Sequence, residues 1–206
     1  LFTCLSSGIS STINNAFICR EEMQEKYPDA DICVFDSICA CGGHGMLIYH
    51  AIENKKKGMS AKENMQALEA LKHHIVHKFT VDDLTYLQRG GRISKTAAMI
   101  GGMIQLKPVL HVDIEGRLAA ESKVRGRKKA LNQLVSEMEN CVGSYADKQD
   151  MVLICHADCL EDAEYVQAKV EEKFHPDKII ISEVGPIIGA HVGPGTMTLF
   201  FLGDKR

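Results

Sequence analysis

The stretch that most constrains this chain runs from Glu183 to Gly195 and reads EVGPIIGAHVGPG. It holds the Gly185-Pro186 and Gly193-Pro194 steps, with His191 as the titratable side chain between them. Proline fixes φ and removes a backbone donor, whereas glycine accepts conformations that a Cβ blocks. Rigid and permissive positions therefore alternate around one imidazole, flanked by Ile187, Ile188 and Val192. Such a segment can present a single polar group from an apolar wall. The competing reading is a tight connection between two strands, with His191 turned to solvent.

A chain of 206 residues can bury a substantial core as one large domain or two small ones. Apolar residues make up 45% and the net charge is −3, which argues against nucleic-acid binding. No apolar run approaches the ~18 residues of a membrane span, and no signal peptide is recognisable. The eight cysteines include Cys39-Ala-Cys41 and Cys155-His-Ala-Asp-Cys159 but no paired CxxC motifs. Reduced, mostly buried thiols in a cytoplasmic protein are expected, with no metal site. The chain opens inside a strand-like run, LFTCL, which suggests that an earlier segment is missing.

Leu1–Leu5 reads as a buried strand, followed by SSGISST and a helix over Thr12–Lys26 with Ser10 or Ser11 as its N-cap. Strand, polar loop and helix N-terminus together can bind an anion, with hydroxyls from Ser6, Ser7, Ser10, Ser11 and Thr12. Asp31–Asp36 reads as a second strand. CACGGHG then forms a loop before an apolar helix that ends at Lys55–Gly58. Ser60-x-x-Glu63 is a capping box, and Met65, Leu68, Leu71, Ile75 and Phe79 continue at helical steps. That reading places His73 and His77 one turn apart on a helix, where a metal site is a minor alternative to solvated histidines.

The alternation breaks near Lys78, which divides the chain into residues 1–78 and 79–206. VDDLTYLQRGG is a short helix, and Ser94 caps a following helix, KTAAMIGGMIQ. Pro108 starts a hairpin with its turn at Glu115-Gly116. The basic run KVRGRKK, Lys123–Lys129, is either a solvated helix start or a patch meeting an anion or acidic surface. A helix with Leu131, Leu134, Val135 and Met138 on one face follows. Met151–Cys155, a helix over Glu161–Phe174, Ile179–Ser182 and Thr196–Leu202 complete a second α/β layer.

Four stretches in this order resemble the DegV family of bacterial fatty-acid-binding proteins. They are LSSGISST, VDDLTYLQRGGRIS, KPVLHVDIEGRLAAESKVRGRKKAL and GPIIGAHVGPG. The resemblance implies a two-domain α/β fold: a Rossmann-like parallel-sheet domain and a second α/β domain with a mixed sheet. It implies a long-chain fatty acid buried between them, no cofactor and no catalytic residue. In some family members a separate fatty acid kinase phosphorylates the bound acid. Carried over, the family's serine loop falls on Ser6–Ser10, with Ser7 and Ser10 as head-group hydroxyls, and its pocket histidine falls on His191. Arg92 and Arg125 match arginines that face the kinase or, transiently, a membrane surface. This chain departs from the family at Ser11, where Gly is usual, in GGMIQLKP, and in lacking the N-terminal Thr-Ser-Gln-Pro-Ser motif.

The chemistry fits those residue types. A long acyl chain gains about 0.8 kcal/mol per buried CH₂, on the order of 10 kcal/mol gross. Its carboxylate opposes burial unless donors meet it at one end of the slot. Two alternatives accompany this reading: an acyl hydrolase with Ser7 as nucleophile and His191 as base, and a phosphate-ligand site at SSGISST.

Overall fold

The computed structural model describes residues 1–94 and 106–206. The helix expected over KTAAMIGGMIQ, residues 95–105, lies outside the described residues. The chain begins with strand β1 (Phe2–Cys4), helix α1 (Thr12–Lys26) and strand β2 (Val34–Asp36), and β1 and β2 pair in parallel, Phe2 opposite Val34. A small apolar cluster of Cys4, Ile13 and Val34 fastens α1 to these strands.

Helix α2 (Cys41–Lys56) and helix α3 (Ala61–Leu71) follow. The CGGHG segment, expected as a loop, is the first turn of α2. Its glycines let the helix approach the sheet. A Cβ on Gly42 would come within about 2.6 Å of Leu153 and Phe200, and one on Gly43 would strike the His77 ring. Gly58, at φ +89°, ends the following turn. The capping box on α3 forms in both directions: Ser60 Oγ accepts from Glu63 N–H, and Glu63 accepts from Ser60 N–H.

The helical stripe expected to continue through Ile75 and Phe79 instead stops at Leu71. A single tight turn, Lys72–His74, leads into strand β3 (Ile75–Thr80), all of whose residues are buried. A strand covered on both faces loses its period-two signature. The Leu71, Ile75, Phe79 spacing then imitates a helix. His73 and His77 therefore do not share a helix turn, and the helical metal pair has no geometric basis.

After helix α4 (Thr85–Arg89) come β4 (Leu106–Val112), β5 (Leu118–Arg125), α5 (Arg127–Cys141), β6 (Val152–His156), α6 (Leu160–Phe174), β7 (Ile179–Glu183), α7 (Pro186–Val192) and β8 (Met197–Leu202). The six-stranded sheet has the order β5-β4-β3-β8-β6-β7, with β6 and β7 parallel and the other pairs antiparallel. Because β3 sits inside this mixed sheet, the division expected near Lys78 falls within a strand. Pro108 lies inside β4 rather than at its start, one position beyond the last pairing with β3, Thr80 opposite Val109.

Helices α5 and α6 cover one face of the sheet. Their Leu134, Met138 and Val166 pack against Val76, Ile154 and Phe201 as one buried cluster. Beneath α2 and α3 a second cluster gathers Phe35, Met46, Leu68, Ile75 and Phe200. No helix among the described residues is long and apolar enough to cross a membrane.

Candidate functional site

A cavity of about 150 Å³ opens between the serine loop and the six-stranded sheet, with Leu5 and Ile9 on one side and Phe79, Leu118 and Phe200 on the other. The EVGPIIGAHVGPG stretch supplies a third side. Its central residues form α7 rather than an open turn, with Gly185 at the N-cap, Pro186 in the first turn and Gly193, φ +77°, after the last. Pro186 suits that position because a first-turn N–H has no intrahelical partner. Gly193 admits the Tyr86 ring, which a Cβ there would meet at about 2.5 Å.

His191 and Ser10 both line this cavity, although 181 positions separate them in sequence (191 − 10). The His191 ring lies directly over Gly90, where a Cβ would collide with Nδ1. Arg92 also lines the cavity, and its Nη1 donates to the Gly90 carbonyl at 2.6 Å. Gly90 is therefore the point at which the imidazole and a guanidinium converge. Among the described residues, neither ring nitrogen of His191 has a hydrogen-bond partner. Arg125, the other arginine singled out, is exposed at the end of β5, opposite Leu106.

Ser7 takes no part in the cavity lining: it is exposed, and its N–H donates to Asp36 Oδ1 at 3.2 Å. Ser6 is fully buried, and its hydroxyl donates to the Gly116 carbonyl at 2.7 Å. Gly116, at φ +76°, sits in the β4–β5 turn, and any Cβ there would strike Ser6 Oγ. One serine thus clamps the hairpin tip while Ser10 faces the cavity. Ser10 Oγ lies 2.9 Å from Thr12 Oγ1 and accepts the Thr12 N–H at 3.3 Å. Ser11 holds the N-cap position of α1 without a side-chain capping bond.

The same bonds weaken the phosphate reading of SSGISST. Ser7 N–H is taken by Asp36, Gly8 N–H by Ser6 Oγ, and the N–H groups of Ile9 and Ser10 by the Ser6 carbonyl. A phosphate cradle needs those donors, and a carboxylate beside them repels an anion. The basic run is likewise engaged within the chain. Arg127 Nε meets Asp162 at 2.8 Å, Arg127 also reaches Asp82, and Lys128 lies over the Tyr165 ring.

His77 is a cavity residue that the sequence concealed, because its strand imitated a helix. Its Nε2 accepts from Ala40 N–H at 3.1 Å and its Nδ1 bonds the Ile75 carbonyl at 3.0 Å. A ring that accepts at Nε2 and donates at Nδ1 is neutral, and burial drives its pKa well below the ordinary value. The cavity wall consequently adds no charge there. Thr196 and Thr198 also line the cavity, but both hydroxyls donate to backbone carbonyls, Val192 and Gly193 for the first and Cys155 for the second.

A largely apolar cavity within a mixed α/β fold, with Ser10, Arg92 and His191 among its lining residues, defines a class of small-ligand binding protein. Comparison with known proteins fixes the family. A model described as "Uncharacterised protein, DegV family" matches residues 1–204, and the chain belongs to the DegV family. A DegV domain-containing protein of Clostridium perfringens is 44% identical over 206 residues, which span all of this chain and 70% of that protein. DegV of Bacillus subtilis, described as a fatty acid binding protein, is 31% identical with a TM-score of 0.78, over 97% of this chain and 69% of that one. The Streptococcus pneumoniae fatty acid kinase B3 protein, solved with linoleic acid, shares the fold at a TM-score of 0.90 and 21% identity, over 98% of this chain and 70% of its own.

Proposed function

We propose that the cavity holds a long-chain fatty acid, with its carboxylate at the end formed by Ser10, His191 and Arg92 and its tail against Phe79, Leu118 and Phe200. The observation that carries this reading is that a hydroxyl, an imidazole and a guanidinium line one cavity whose walls are mainly apolar. Arg92 supplies the opposite charge that a buried carboxylate needs, and the other two supply hydrogen bonds. Membership in a family whose B. subtilis representative is described as a fatty acid binding protein supports the same ligand class.

In this reading the protein leaves the acid's carboxyl group unaltered and, in the cytoplasm, presents it to a partner fatty acid kinase. Arg125, exposed within the basic run, contributes to the surface that meets the kinase or a membrane. The serine loop with α1, β1 and β2 forms one unit and the six-stranded sheet the other, with the ligand between them. An acyl hydrolase would require Ser7 within reach of His191, and Ser7 lies on the exposed side of the loop.

The test is native mass spectrometry of the purified protein loaded with palmitate or oleate, followed by organic extraction. Retention is expected in the parent protein, reduced roughly tenfold or more in His191→Ala and Arg92→Ala. Ser10→Ala should show a smaller loss and Ser7→Ala no loss. Unchanged retention in both His191→Ala and Arg92→Ala would sink the proposal.

A further inference from the structure

Acyl binding leaves a pair of thiols unused. Cys41 opens the 16-residue helix α2 and lines the cavity. It packs against the buried cluster that contains Cys155, on β6 behind it. Cys41 stands at the cavity edge of that cluster, and Cys155 is buried within it. Cys41 holds φ +46°, a left-handed conformation rare outside glycine. Such backbone persists where the surroundings over-determine it, often at working sites.

The two sulfurs are electrically unlike. The hydrogen bond from Cys155 draws the Cys41 thiol below its ordinary range despite burial, while the same contact together with burial pushes Cys155 upward. The cavity-facing sulfur is the one disposed to be a thiolate, and the sulfur behind it keeps its proton. The remaining thiols differ. Cys39 is buried and pushed up to about 12 by desolvation, and Cys19 is exposed on α1, away from the cavity.

We propose that Cys41 and Cys155 form a peroxide-reactive dithiol that reduces hydroperoxy acyl chains held in the cavity. This activity takes acyl occupancy from the reading above. The Cys41 thiolate attacks the terminal peroxide oxygen, the O–O bond breaks, and the alkoxide leaves and takes a proton to become the hydroxy acid. Cys41 is then a sulfenic acid. Cys155 attacks its sulfur, the S–O bond breaks, and water leaves as the disulfide forms. One hydroperoxide is reduced by two electrons and two thiols are oxidised to one disulfide. An apolar slot admits a lipid hydroperoxide in preference to polar oxidants.

The experiment treats fully reduced protein with one equivalent of a hydroperoxy-octadecadienoic acid, with hydrogen peroxide and cumene hydroperoxide in parallel. Peptide mass spectrometry should find a Cys41–Cys155 disulfide, two hydrogens lighter, with hydroxy acid formed one to one. Hydrogen peroxide should react more slowly. Cys155→Ser should stop at a Cys41 sulfenic acid that dimedone traps, and Cys41→Ser should lose the reaction completely while Cys155 remains a thiol. Linoleic acid retention, read by native mass spectrometry on the same samples, tests the acyl reading separately. If linoleic acid is retained but the hydroperoxide leaves Cys41 reduced, or if oxidation is confined to Cys19, the dithiol proposal is overturned and acyl binding stands. If linoleic acid is not retained, the acyl reading fails, and failure of cumene hydroperoxide to join Cys41 to Cys155 then overturns the dithiol as well.

Discussion

On the face of the six-stranded sheet covered by α5 and α6, Val76, Ile154, Leu199 and Phe201 meet Leu134, Met138 and Val166 in a closed core. On the opposite face, Phe79, Leu118 and Phe200 border a cavity instead. The adjacent residues His77 and Lys78 mark the contrast, because successive strand residues point to opposite sides. His77 faces the cavity as a neutral ring satisfied by two backbone groups. Lys78 faces the filled side, almost fully buried, with Nζ at 2.7 and 2.8 Å from the two Glu121 oxygens. A filled face tolerates a charge when a carboxylate completes it. The hollow face carries no charge at His77, whose neutral ring is completed by backbone groups instead of a counter-ion.

This contrast can be broken by mutation. The largest effect should come from the filled face: Leu134→Ala removes a fully buried side chain and should cost about 3–4 kcal/mol in urea unfolding. Acyl retention under native conditions should not change, and a matching loss of retention would show that the two faces are not independent. Next, Glu121→Ala strands the Lys78 ammonium and should cost about 3 kcal/mol. Glu137 lies 4.0 Å from Lys78 and sets the lower end of that loss. A double variant, Glu121→Ala with Lys78→Met, should recover most of it.

The hollow face should show itself in pH dependence. The folded-state pKa of His77 lies well below its ordinary value of 6.5, so the unfolded chain binds the proton first as pH falls. The stability contributed by the neutral ring is full above about pH 6.5 and is lost progressively below it. His44 and His111 are shifted the same way by burial, so His77→Gln should flatten the acid limb of the stability curve without abolishing it. An unchanged slope would mean that His77 titrates as an exposed histidine does. The smallest effect belongs to Leu118→Ala, which trims a half-buried cavity wall and should cost below about 1.5 kcal/mol. It should nonetheless shift the extracted acids toward longer or bulkier chains, a change Leu134→Ala does not produce.

Much of the scaffold could be read from local chemistry. Helix α1 occupies Thr12–Lys26 as expected, the Ser60–Glu63 capping box starts α3, and Leu131, Leu134, Val135 and Met138 turn inward from α5. The misreadings share a cause. β3 was hidden because burial on both faces erased its alternation, and the first turn of α2 was hidden because Gly42 and Gly43 look like a loop until the sheet beneath them is known. The cavity histidine was legible from its glycine-rich setting. The roles within SSGISST were not, since Ser6, Ser7 and Ser10 are chemically alike and differ only in what lies beside each.

The sequence by itself determined the helices with strong caps or clear periodicity, the hairpin turn and the family, and it nominated Ser7, Ser10 and His191, of which Ser10 and His191 line the cavity. These depend on short-range sterics and hydrogen bonds, which a few consecutive residues specify. Only the tertiary structure decided that Ser6 clamps Gly116, that Arg92 and His191 both lie against Gly90, and that His77 and Cys41 belong to the cavity wall. Those facts join residues far apart in the chain, and strand pairing and helix packing, rather than neighbouring residues, bring them together.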